Sequence, residues 1–332
     1  MTPDVSIVIA TWNGKQHLEA CFTAVGAQQD VTTETILVDN ASTDGTAEFV
    51  AERFPWVRVI RLAENRGFAG GNNAGAREAR GRYLALLNND TAADPRWLRT
   101  LLDGLDEAGG FALATSRIVY FDDPEVIDSA GDGLLRHGGA FKWHHGAHVS
   151  VALESREVFG VSGAACLMPR ALFEELDGFD EDFFASHEDV DLSYRARLLG
   201  YRCRYVAGAV VRHRGSATLG RRSTFAVFHG QRNLEWMYVQ NTPGTLLAAT
   251  FPGHLLYDAA AAVHFARHGL FGTFLRAKWA ALRGLGRTLR KRRRIQASRR
   301  VGAAAITPLL ERRWLAIKRR EKAFDARLAG RT

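Results

Sequence analysis

Cysteine is scarce in this sequence, and long uninterrupted apolar runs are missing. The three cysteines, Cys21, Cys166 and Cys203, are odd in number, lie far apart and form no CxxC pair. This number and spacing of cysteines predicts neither a disulfide framework nor a cysteine-based zinc site. It is typical of a protein in a reducing cytoplasm. No run of about 18 consecutive apolar residues occurs, so no ordinary membrane-spanning helix is predicted.

Two further stretches, the N-terminus and residues 236–257, have some features of export or membrane segments. Met1 to Asp4 carries no positively charged region ahead of the apolar run that starts at Val5, so no signal peptide is predicted. Residues 236–257 have no Asp, Glu, Lys or Arg, but they include two prolines and His254. We predict that this stretch is buried or lies at an interface rather than spanning a membrane.

Acidic residues are rare in the C-terminal part, which makes the overall charge of +8 misleading. From Arg267 onward there are 20 Lys or Arg and 3 Asp or Glu, which leaves 24 basic and 33 acidic residues in 1–266. The tail therefore carries +17 and the remainder −9. With 46% hydrophobic and 24% charged residues, the composition is globular and excludes disordered, collagen-like and coiled-coil classes.

Strands and helices are predicted to alternate over the first third of the chain. Short apolar runs typical of buried strands occur at 5–10, 35–38, 57–60 and 83–87, each followed by a helical pattern. This alternation predicts an α/β fold with a mostly parallel central sheet flanked by helices. Later elements are predicted as a helix at 188–199, strands at 202–206 and 209–211, and helices from about residue 233 to the end.

Polar side chains stand where the predicted strands end. Thr11, Asn13, Asp39 and Asp90 all occupy such positions, and ligands of parallel α/β sheets bind beyond the carboxyl ends of the strands. A carboxylate there can accept hydrogen bonds from a nucleotide or hold Mg²⁺ or Mn²⁺, which prefer oxygen ligands. Taken alone, Asp39 could equally cap a turn and Asp90 could be a solvated strand end.

Glycine is concentrated between Asn65 and Gly75, just before a predicted helix. Glycines let a backbone approach a phosphate closely, and a helix N-terminus offers free N–H groups. The spacing of Gly67, Gly70 and Gly71 does not give the GxGxxG dinucleotide pattern. Tight turns use the same residues, so the segment by itself is a weak signal.

An acidic group opens the helix predicted at 188–199. Glu188, Asp189 and Asp191 fall within four residues, where mutual repulsion can raise one pKa and create a general base. Favourable placement of acids at the helix dipole is the alternative. His213 follows the last predicted strand and could ligate a metal as a neutral imidazole, although a lone histidine is more often structural.

The order and spacing of these motifs resemble the family 2 glycosyltransferases of the GT-A fold. The resemblance covers about residues 4–243 and is carried by seven segments: 5–14, the Asp39 loop, 65–75, 88–90, 163–170, 178–201 and the segment around His213. It implies a Rossmann-like, mostly parallel sheet flanked by helices. The implied organisation is a catalytic domain at 1–240 and a basic helical extension at 241–332.

The resemblance also implies a role for each motif residue. The residues that would contact the nucleotide base and ribose are Thr11, Asn13 and Asp39. Those that would line the diphosphate and the donor sugar are Asn65, Gly67, Asn73 and Asn89. The ligands of Mg²⁺ or Mn²⁺ would be Asp90 and His213, with Asn88 standing where the metal-binding motif has its first Asp. The base that deprotonates the acceptor would be Asp189, and Glu188 and Asp191 would orient the acceptor or the base.

The implied reaction is an inverting transfer of a sugar from a nucleoside-diphosphate sugar to a hydroxyl of a glycan or lipid-linked acceptor. One positioned base suffices for this displacement. Segments 87–91, 128–131, 188–192 and 232–233 are most similar to those of bacterial rhamnosyltransferases of cell-wall and O-antigen assembly, so dTDP-L-rhamnose is the expected donor. Galactofuranosyl and mannosyl transferases share these motifs. A non-catalytic protein tethered to a membrane or to nucleic acid is the alternative.

The basic tail predicts where the protein works. Apolar residues recur at helical spacing between 270 and 285, next to the basic run 290–294. Amphipathic helices with a cationic face suit anionic lipid headgroups, which predicts a cytoplasmic protein held peripherally on the inner face of the cell membrane. A solvated basic helix packed on the acidic domain is the alternative. Nucleic-acid binding is disfavoured because residues 1–266 are acidic and carry no recognition motif.

Overall fold

The computed structural model describes residues 2–215 and 223–329. The strands in these residues are β1 (Val5–Thr11), β2 (Thr33–Asp39), β3 (Arg58–Arg61), β4 (Tyr83–Leu87), β5 (Thr91–Ala93), β6 (Phe111–Tyr120), β7 (Ile127–Ser129), β8 (Asp132–Leu134), β9 (Ala140–Lys142), β10 (Arg156–Val158), β11 (Ala165–Pro169) and β12 (Arg202–His213). The helices are α1 (Lys15–Gly26), α2 (Thr46–Arg53), α3 (Gly67–Glu78), α4 (Trp97–Gly104), α5 (Arg170–Glu175), α6 (Glu188–Leu198), α7 (Thr224–Asn241), α8 (Gly244–Arg267), α9 (Phe271–Arg283), α10 (Leu285–Ser298), α11 (Ala303–Ile306) and α12 (Trp314–Ala329).

One sheet of ten strands organises the first two thirds of the chain. Its order is β10-β12-β6-β11-β4-β1-β2-β3, with β5 paired to β12 and β7 to β6. Strands β1 to β4 are parallel neighbours, β6 and β12 are parallel to each other, and β11 runs antiparallel between β4 and β6. The predicted α/β architecture with a mostly parallel central sheet is confirmed.

Both faces of the central strands are buried, which explains their unbroken apolar runs. Side chains alternate between the faces, so Val8 and Ile36 join one core cluster while Ile7 and Leu37 join the other. Helix α1 covers the second face with Leu18, Cys21, Phe22 and Val25. All three cysteines are buried thiols, and burial raises the pKa of Cys21 to about 12.

The glycines of α3 serve helix-to-sheet packing. A Cβ at Gly75 would lie 2.9 Å from Cγ2 of Val38 and still closer to Val8, so only glycine lets the helix approach the sheet this closely. This packing role explains part of the glycine run that the sequence also allowed to be a phosphate loop.

Two predicted elements differ from the structure. The strands expected at 202–206 and 209–211 are one strand, β12, which is interrupted by a register shift between Val206 and Val210. A β-bulge of this kind breaks the alternation pattern without ending the strand. Helical structure also begins earlier than residue 233, because α7 starts at Thr224 after Ser223, whose hydroxyl caps it by accepting from the N–H of Ala226.

The helices from α7 onward pack on one another and on the sheet domain. Trp236, Met237 and Leu246 share a core cluster with Phe183 and Val190. A buried ionic cluster joins α7, α8 and α9: Lys278 bonds to Glu235 and Asp258, and His254 donates to Glu235. Among the described residues, Glu235, His254 and Asp258 are close enough to resemble a metal-binding group, but Lys278 already supplies the cation.

Helix α8 is the one described helix long and apolar enough to cross a membrane by length and composition. The sequence predicted no such helix, because Pro252 and His254 interrupt its apolar run. In the structure α8 continues through Pro252 for 24 residues. One side packs on the protein through Leu246, Thr250 and His254, and the opposite side exposes Phe251, Leu255, Leu256 and Val263.

Several basic residues of the tail bond to acids of the sheet domain. Lys291 contacts Asp180 at 2.5 Å, Arg287 contacts Asp182 at 2.9 Å, and Arg300 contacts Glu175 at 2.6 Å. Part of the tail charge therefore holds α10 and the segment after it against the acidic globule. The last residues of the predicted extension, 330–332, lie outside the described residues.

Candidate active site

The tips of β1, β2 and β4 bring four of the predicted donor residues together. Nδ2 of Asn89 donates to Oγ1 of Thr11 at 2.6 Å, which joins β4 to β1. Asn13, in a left-handed turn with φ 50°, accepts from the N–H of Thr43 at 2.8 Å. Asp39 is buried and accepts from the N–H of Ser42 at 2.9 Å. These bonds fix the loops after β1 and β2 around one edge of the sheet.

The glycine-rich segment places Asn65 and Gly67 beside the turn before α6, whereas Asn73 faces the 178–181 loop. Asn65 accepts from the N–H of Gly67, whose φ of 69° and contact with the Phe184 backbone both require glycine. Asn73 instead bonds to the main chain of Phe179 through both ends of its amide, at 2.8 and 2.9 Å, and also to Glu181. Asn73 therefore anchors the 178–181 loop, and its expected contact with the donor stays a prediction.

The two predicted metal ligands face each other. Thr91 at the start of β5 pairs with His213 at the end of β12, and this pairing sets Asp90 beside the imidazole. Oδ1 of Asp90 lies 3.2 Å from Nε2 of His213, and both side chains are buried. Nδ2 of Asn88 lies 3.4 Å from the same nitrogen. The structure thus brings Asp90, His213 and the Asn88 position to one place.

Electrostatics favour the charged forms of this pair. Burial alone would lower the pKa of His213, but hydrogen bonds to Asp128 and Asp90 outweigh burial and raise the pKa to about 9. Burial likewise would raise the pKa of Asp90, yet the contact with His213 leaves it below its ordinary value. Only a neutral imidazole ligates a metal, so a divalent cation such as Mn²⁺ would bind between this carboxylate and imidazole by displacing the hydrogen on Nε2 of His213.

Asp189 and Glu188 line a cavity of about 420 Å³ in front of α6. Oδ2 of Asp189 accepts from the N–H of Gly163 at 2.9 Å, and Oδ1 accepts from its neighbour Val190 at 2.8 Å. Burial raises the pKa of Asp189 above its ordinary value despite these bonds. Burial and the charge of Asp189 raise the pKa of Glu188 further, and its Oε2 has no hydrogen-bond partner in the described structure.

Asp191 does not reach this cavity. It is fully buried and accepts from Gln240 at 2.6 Å, Asn241 at 2.7 Å and Arg195 at 2.8 Å. Its expected role in orienting the acceptor or the base is corrected accordingly: Asp191 ties α6 to α7.

Three residues that the sequence did not single out complete the site. Asp132 and Lys142, on the paired strands β8 and β9, line the same cavity as Asp189. Lys142 also bonds to Asp128, and Asp128 accepts from His213 at 2.8 Å. A continuous chain of side chains therefore joins this cavity to the pair formed by Asp90 and His213. Asp128 lay in a motif segment without an assigned role, and nothing in the local sequence marks Lys142.

The backbone of the turn before α6 is strained, and side chains of α7 hold it in place. Phe184, Ser186 and His187 all have positive φ, between 64° and 75°, which costs about 1–3 kcal/mol per residue unless neighbours fix it. Nδ2 of Asn233 lies within 2.7–2.9 Å of the carbonyls of Phe183, Ala185 and Ser186. Arg232 adds bonds to the carbonyls of Asp182 and Phe183. These α7 side chains position Glu188 and Asp189.

Sequence comparison finds relatives among enzymes of polysaccharide assembly. The family model described as glycosyl transferase family 2 matches residues 6–177, more than half of the chain. An N-acetylglucosaminyl-diphospho-decaprenol L-rhamnosyltransferase of Mycobacterium tuberculosis is 29% identical over 248 residues, covering 67% of this chain and 79% of that protein. The succinoglycan biosynthesis protein ExoO of Rhizobium meliloti is 40% identical over 108 residues, which cover 32% of this chain and 31% of that protein.

Solved structures share the fold. A mannosyltransferase from Pyrobaculum calidifontis, in complex with GDP-Man and Mn²⁺, superposes with a TM-score of 0.53 at 21% identity, covering 90% of this chain and 85% of that one. The S. aureus protein TarS, in complex with UDP, gives a TM-score of 0.53 at 14% identity over 89% of this chain and 90% of that one. With the family match, these likenesses identify the chain as an enzyme of glycosyl transferase family 2 with the predicted GT-A fold.

Proposed function

We propose that this protein transfers a sugar from a nucleoside-diphosphate sugar to a hydroxyl group, with inversion. The observation that carries the proposal is the position of Asp189: a carboxylate of raised pKa in an open cavity, linked through Lys142 and Asp128 to the Asp90–His213 pair. A base and a cation-binding pair in one connected site are what a one-step displacement needs.

The donor side is assigned to the strand tips. Thr11, Asn13 and Asp39 would hold the nucleoside, and Asn65, Gly67 and Asn89 would line the diphosphate and sugar. Asp90 and His213 would hold Mg²⁺ or Mn²⁺, and two protein ligands leave coordination positions for diphosphate oxygens. The bound cation supplies charge stabilisation for the departing diphosphate. The complexes of the Pyrobaculum relative with GDP-Man and Mn²⁺ support this assignment.

The acceptor side is assigned to the cavity in front of α6. Asp189 would take the proton from the acceptor hydroxyl as its oxygen attacks the anomeric carbon. The raised pKa suits this task, because a more basic carboxylate accepts a hydroxyl proton more readily. Glu188 would contact the acceptor beside the base, and the walls of the cavity would keep the acceptor oriented.

We further propose dTDP-L-rhamnose as the donor and a polyprenyl-diphosphate-linked sugar as the acceptor, in the synthesis of a bacterial surface polysaccharide. The support is the Mycobacterium relative, which is named for L-rhamnosyl transfer to an N-acetylglucosaminyl-diphospho-decaprenol. The motif segments shared with rhamnosyltransferases point the same way.

A lipid-linked acceptor would be held in a membrane, so the enzyme would meet it at the membrane surface. The outward side of α8 and α9 exposes a set of large apolar side chains: Phe251, Leu255, Leu256, Val263, Phe271, Leu275, Trp279 and Leu282. The following helix adds exposed cations at Arg290, Arg293 and Arg294. We propose that this outward side, the α8–α9 face, lies in the interface of an anionic bilayer on the cytoplasmic side.

The test of the proposed activity is Asp189→Asn, measured with dTDP-L-rhamnose, Mn²⁺ and a synthetic N-acetylglucosaminyl-diphospho-lipid. Loss of the base should lower the transfer rate roughly 10²- to 10⁴-fold, while thermal stabilisation by the donor is retained. The matched control is Asp103→Asn on α4, whose carboxylate is exposed and bonds to Arg99. Normal transfer by the Asp189 variant, or none by the wild type with dTDP-, UDP- or GDP-sugars, would contradict the proposal.

A further inference from the structure

Asp128 occupies an unusual position for a carboxylate outside the motifs that bind donor and acceptor. It lies on β7, which pairs with the interior strand β6 of the main sheet, and its side chain is fully buried. Both of its oxygens accept from Nζ of Lys142, at 2.9 and 3.0 Å. Burying a charge is costly unless it is paired, and Asp128 is paired on more than one side.

Its second partner is the imidazole of His213. Oδ2 of Asp128 lies 2.8 Å from Nδ1 of His213, and a carboxylate only accepts, so Nδ1 carries the hydrogen. The opposite ring nitrogen, Nε2, is thereby turned toward Oδ1 of Asp90, 3.2 Å away. The ring is buried, so these two contacts fix its orientation.

We propose that Asp128 is the positioning residue for His213: it holds the Nδ1–H tautomer and aims Nε2 at the cation shared with Asp90. The inference rests on the proposed function, because it assumes that Asp90 and His213 bind a divalent cation. Histidines that ligate metals commonly donate their other N–H to a carboxylate, which fixes the ring and makes the ligand more basic. Asp128 acts through His213 and does not itself touch the substrate.

Lys142 gives this arrangement a second purpose. It neutralises Asp128 and at the same time lines the cavity of Asp189. Two short strands, β7 and β9, therefore connect the proposed cation-binding side of the site with the proposed acceptor side. His145 completes the shell, since its Nδ1 lies 2.7 Å from the carbonyl of Asp128. A movement of Asp128 would therefore displace both His213 and Lys142.

Direct Mn²⁺ binding tests the proposal without any sugar or acceptor. Free Mn²⁺ is measured by electron paramagnetic resonance while the full-length protein is titrated. The Mn²⁺ binding that is lost in the His213→Ala variant is the binding that belongs to the Asp90–His213 pair. This comparison separates that site from any Mn²⁺ bound by the ionic cluster of α7, α8 and α9. We expect Asp128→Asn to weaken that part about 10- to 100-fold. Glu157→Gln, which removes a carboxylate paired with Arg197 elsewhere in the domain, should leave it unchanged.

The outcomes separate the two proposals. If the wild type and the Asp128→Asn variant bind Mn²⁺ equally, the positioning role is wrong while the proposed activity stands. If the wild type binds no more Mn²⁺ than His213→Ala, the cation site itself is wrong, and the inference falls with it. Should the asparagine variant fail to fold, nitrogen-15 NMR of the wild type with the diamagnetic probe Zn²⁺ decides: hydrogen on Nδ1 of His213 supports the proposal, and hydrogen on Nε2 overturns it.

Discussion

The side-chain amide of Asn233 donates to the carbonyl of Ser186 at 2.7 Å, and this bond ties a helix outside the sheet to the turn that carries the candidate base. Two more bonds from the same amide nitrogen reach Phe183 and Ala185. A turn with several positive φ values relaxes when its supports are removed. Activity should therefore depend on a residue that touches neither donor nor acceptor.

Asn233→Ala removes all three supports. Buried carbonyls left without a donor cost about 1–3 kcal/mol of unfolding free energy. We expect transfer to fall about 10- to 100-fold, because small misplacements of a base have effects of that size. Donor binding, measured by thermal shift, should stay near that of the wild type.

The matched control for this variant is Gln296→Ala. Gln296 on α10 also bonds through its amide to two carbonyls, those of Gln240 and Asn241, but it does not touch the turn. It should lose comparable stability and keep the transfer rate. If both variants lose activity in proportion to their stability, Asn233 has no special effect on the turn.

The sequence predicted the parts of the site that follow directly from strand ends. Runs such as Leu84 to Leu87 read as buried strands because both faces are covered, and parallel pairing then brings Thr11, Asp39 and Asn89 to one edge. His213 could be placed because it ends a strand of the same sheet. In each case the chemistry sits one or two residues beyond an apolar run.

Residues whose role depends on long-range pairing escaped prediction. Asp128 and Lys142 lie on three-residue strands with no usable periodicity, and they meet because β7 joins the sheet while β9 pairs with β8. Asn73 and Asp191 had the right residue type within the right motif, but their side chains point to other elements. Asp191 shares a helix face with Glu188, so helical spacing alone could not have excluded it from the cavity.

The ionic cluster of the extension predicts a defined loss of stability in acid. Burial would raise the pKa of Glu235, but His254 and Lys278 outweigh it and lower the pKa to about 2 from an ordinary 4.5. The folded-state pKa lies below the unfolded one, so the stabilisation is present above pH 4.5 and is lost as the pH falls to about 2. Its size is about 3 kcal/mol.

Glu235→Gln should remove this pH dependence. Near pH 7 the variant should unfold at lower urea than the wild type, with a difference of up to about 3 kcal/mol, because relief of Asp258, whose pKa the charge of Glu235 helps to raise, offsets part of the loss. The difference should shrink steadily below pH 4.5. Glu19→Gln, which breaks the exposed pair with Arg53, should change stability by less than about 1 kcal/mol at every pH. A constant gap between wild type and Glu235→Gln would contradict the assignment.

Membrane association should depend on the α8–α9 face. Leu256 and Leu282 are 64% and 61% exposed, and burying a leucine in an apolar phase contributes about 1.5–3 kcal/mol. The double variant Leu256→Glu and Leu282→Glu should bind vesicles with 30 mol% phosphatidylglycerol at least about tenfold more weakly in co-sedimentation. Leu153→Glu is the control, because Leu153 is 62% exposed on the sheet domain. Equal loss in both variants would reject this face as the docking surface.

The last described helix, α12, forms one side of the cavity proposed to bind the acceptor, and its removal should affect transfer more than donor binding. Glu321 on α12 lines the cavity with Asp189, and Phe324 packs against Tyr120 and His145, with ring centroids 5.7 and 5.1 Å apart. Phe324→Ala should detach α12, seen as faster cleavage by trypsin near the C-terminus. The opened cavity holds the acceptor less firmly and admits water.

We therefore expect the Phe324→Ala variant to show a several-fold higher KM for the lipid-linked acceptor, with unchanged or faster hydrolysis of the donor. Leu315→Ala, at an exposed position of the same helix, provides the matched control and should behave like the wild type. Faster cleavage without any change in acceptor KM would mean that α12 only packs on the domain. A raised KM that excess acceptor fully overcomes would place α12 in acceptor binding, because a defect of the base lowers kcat instead.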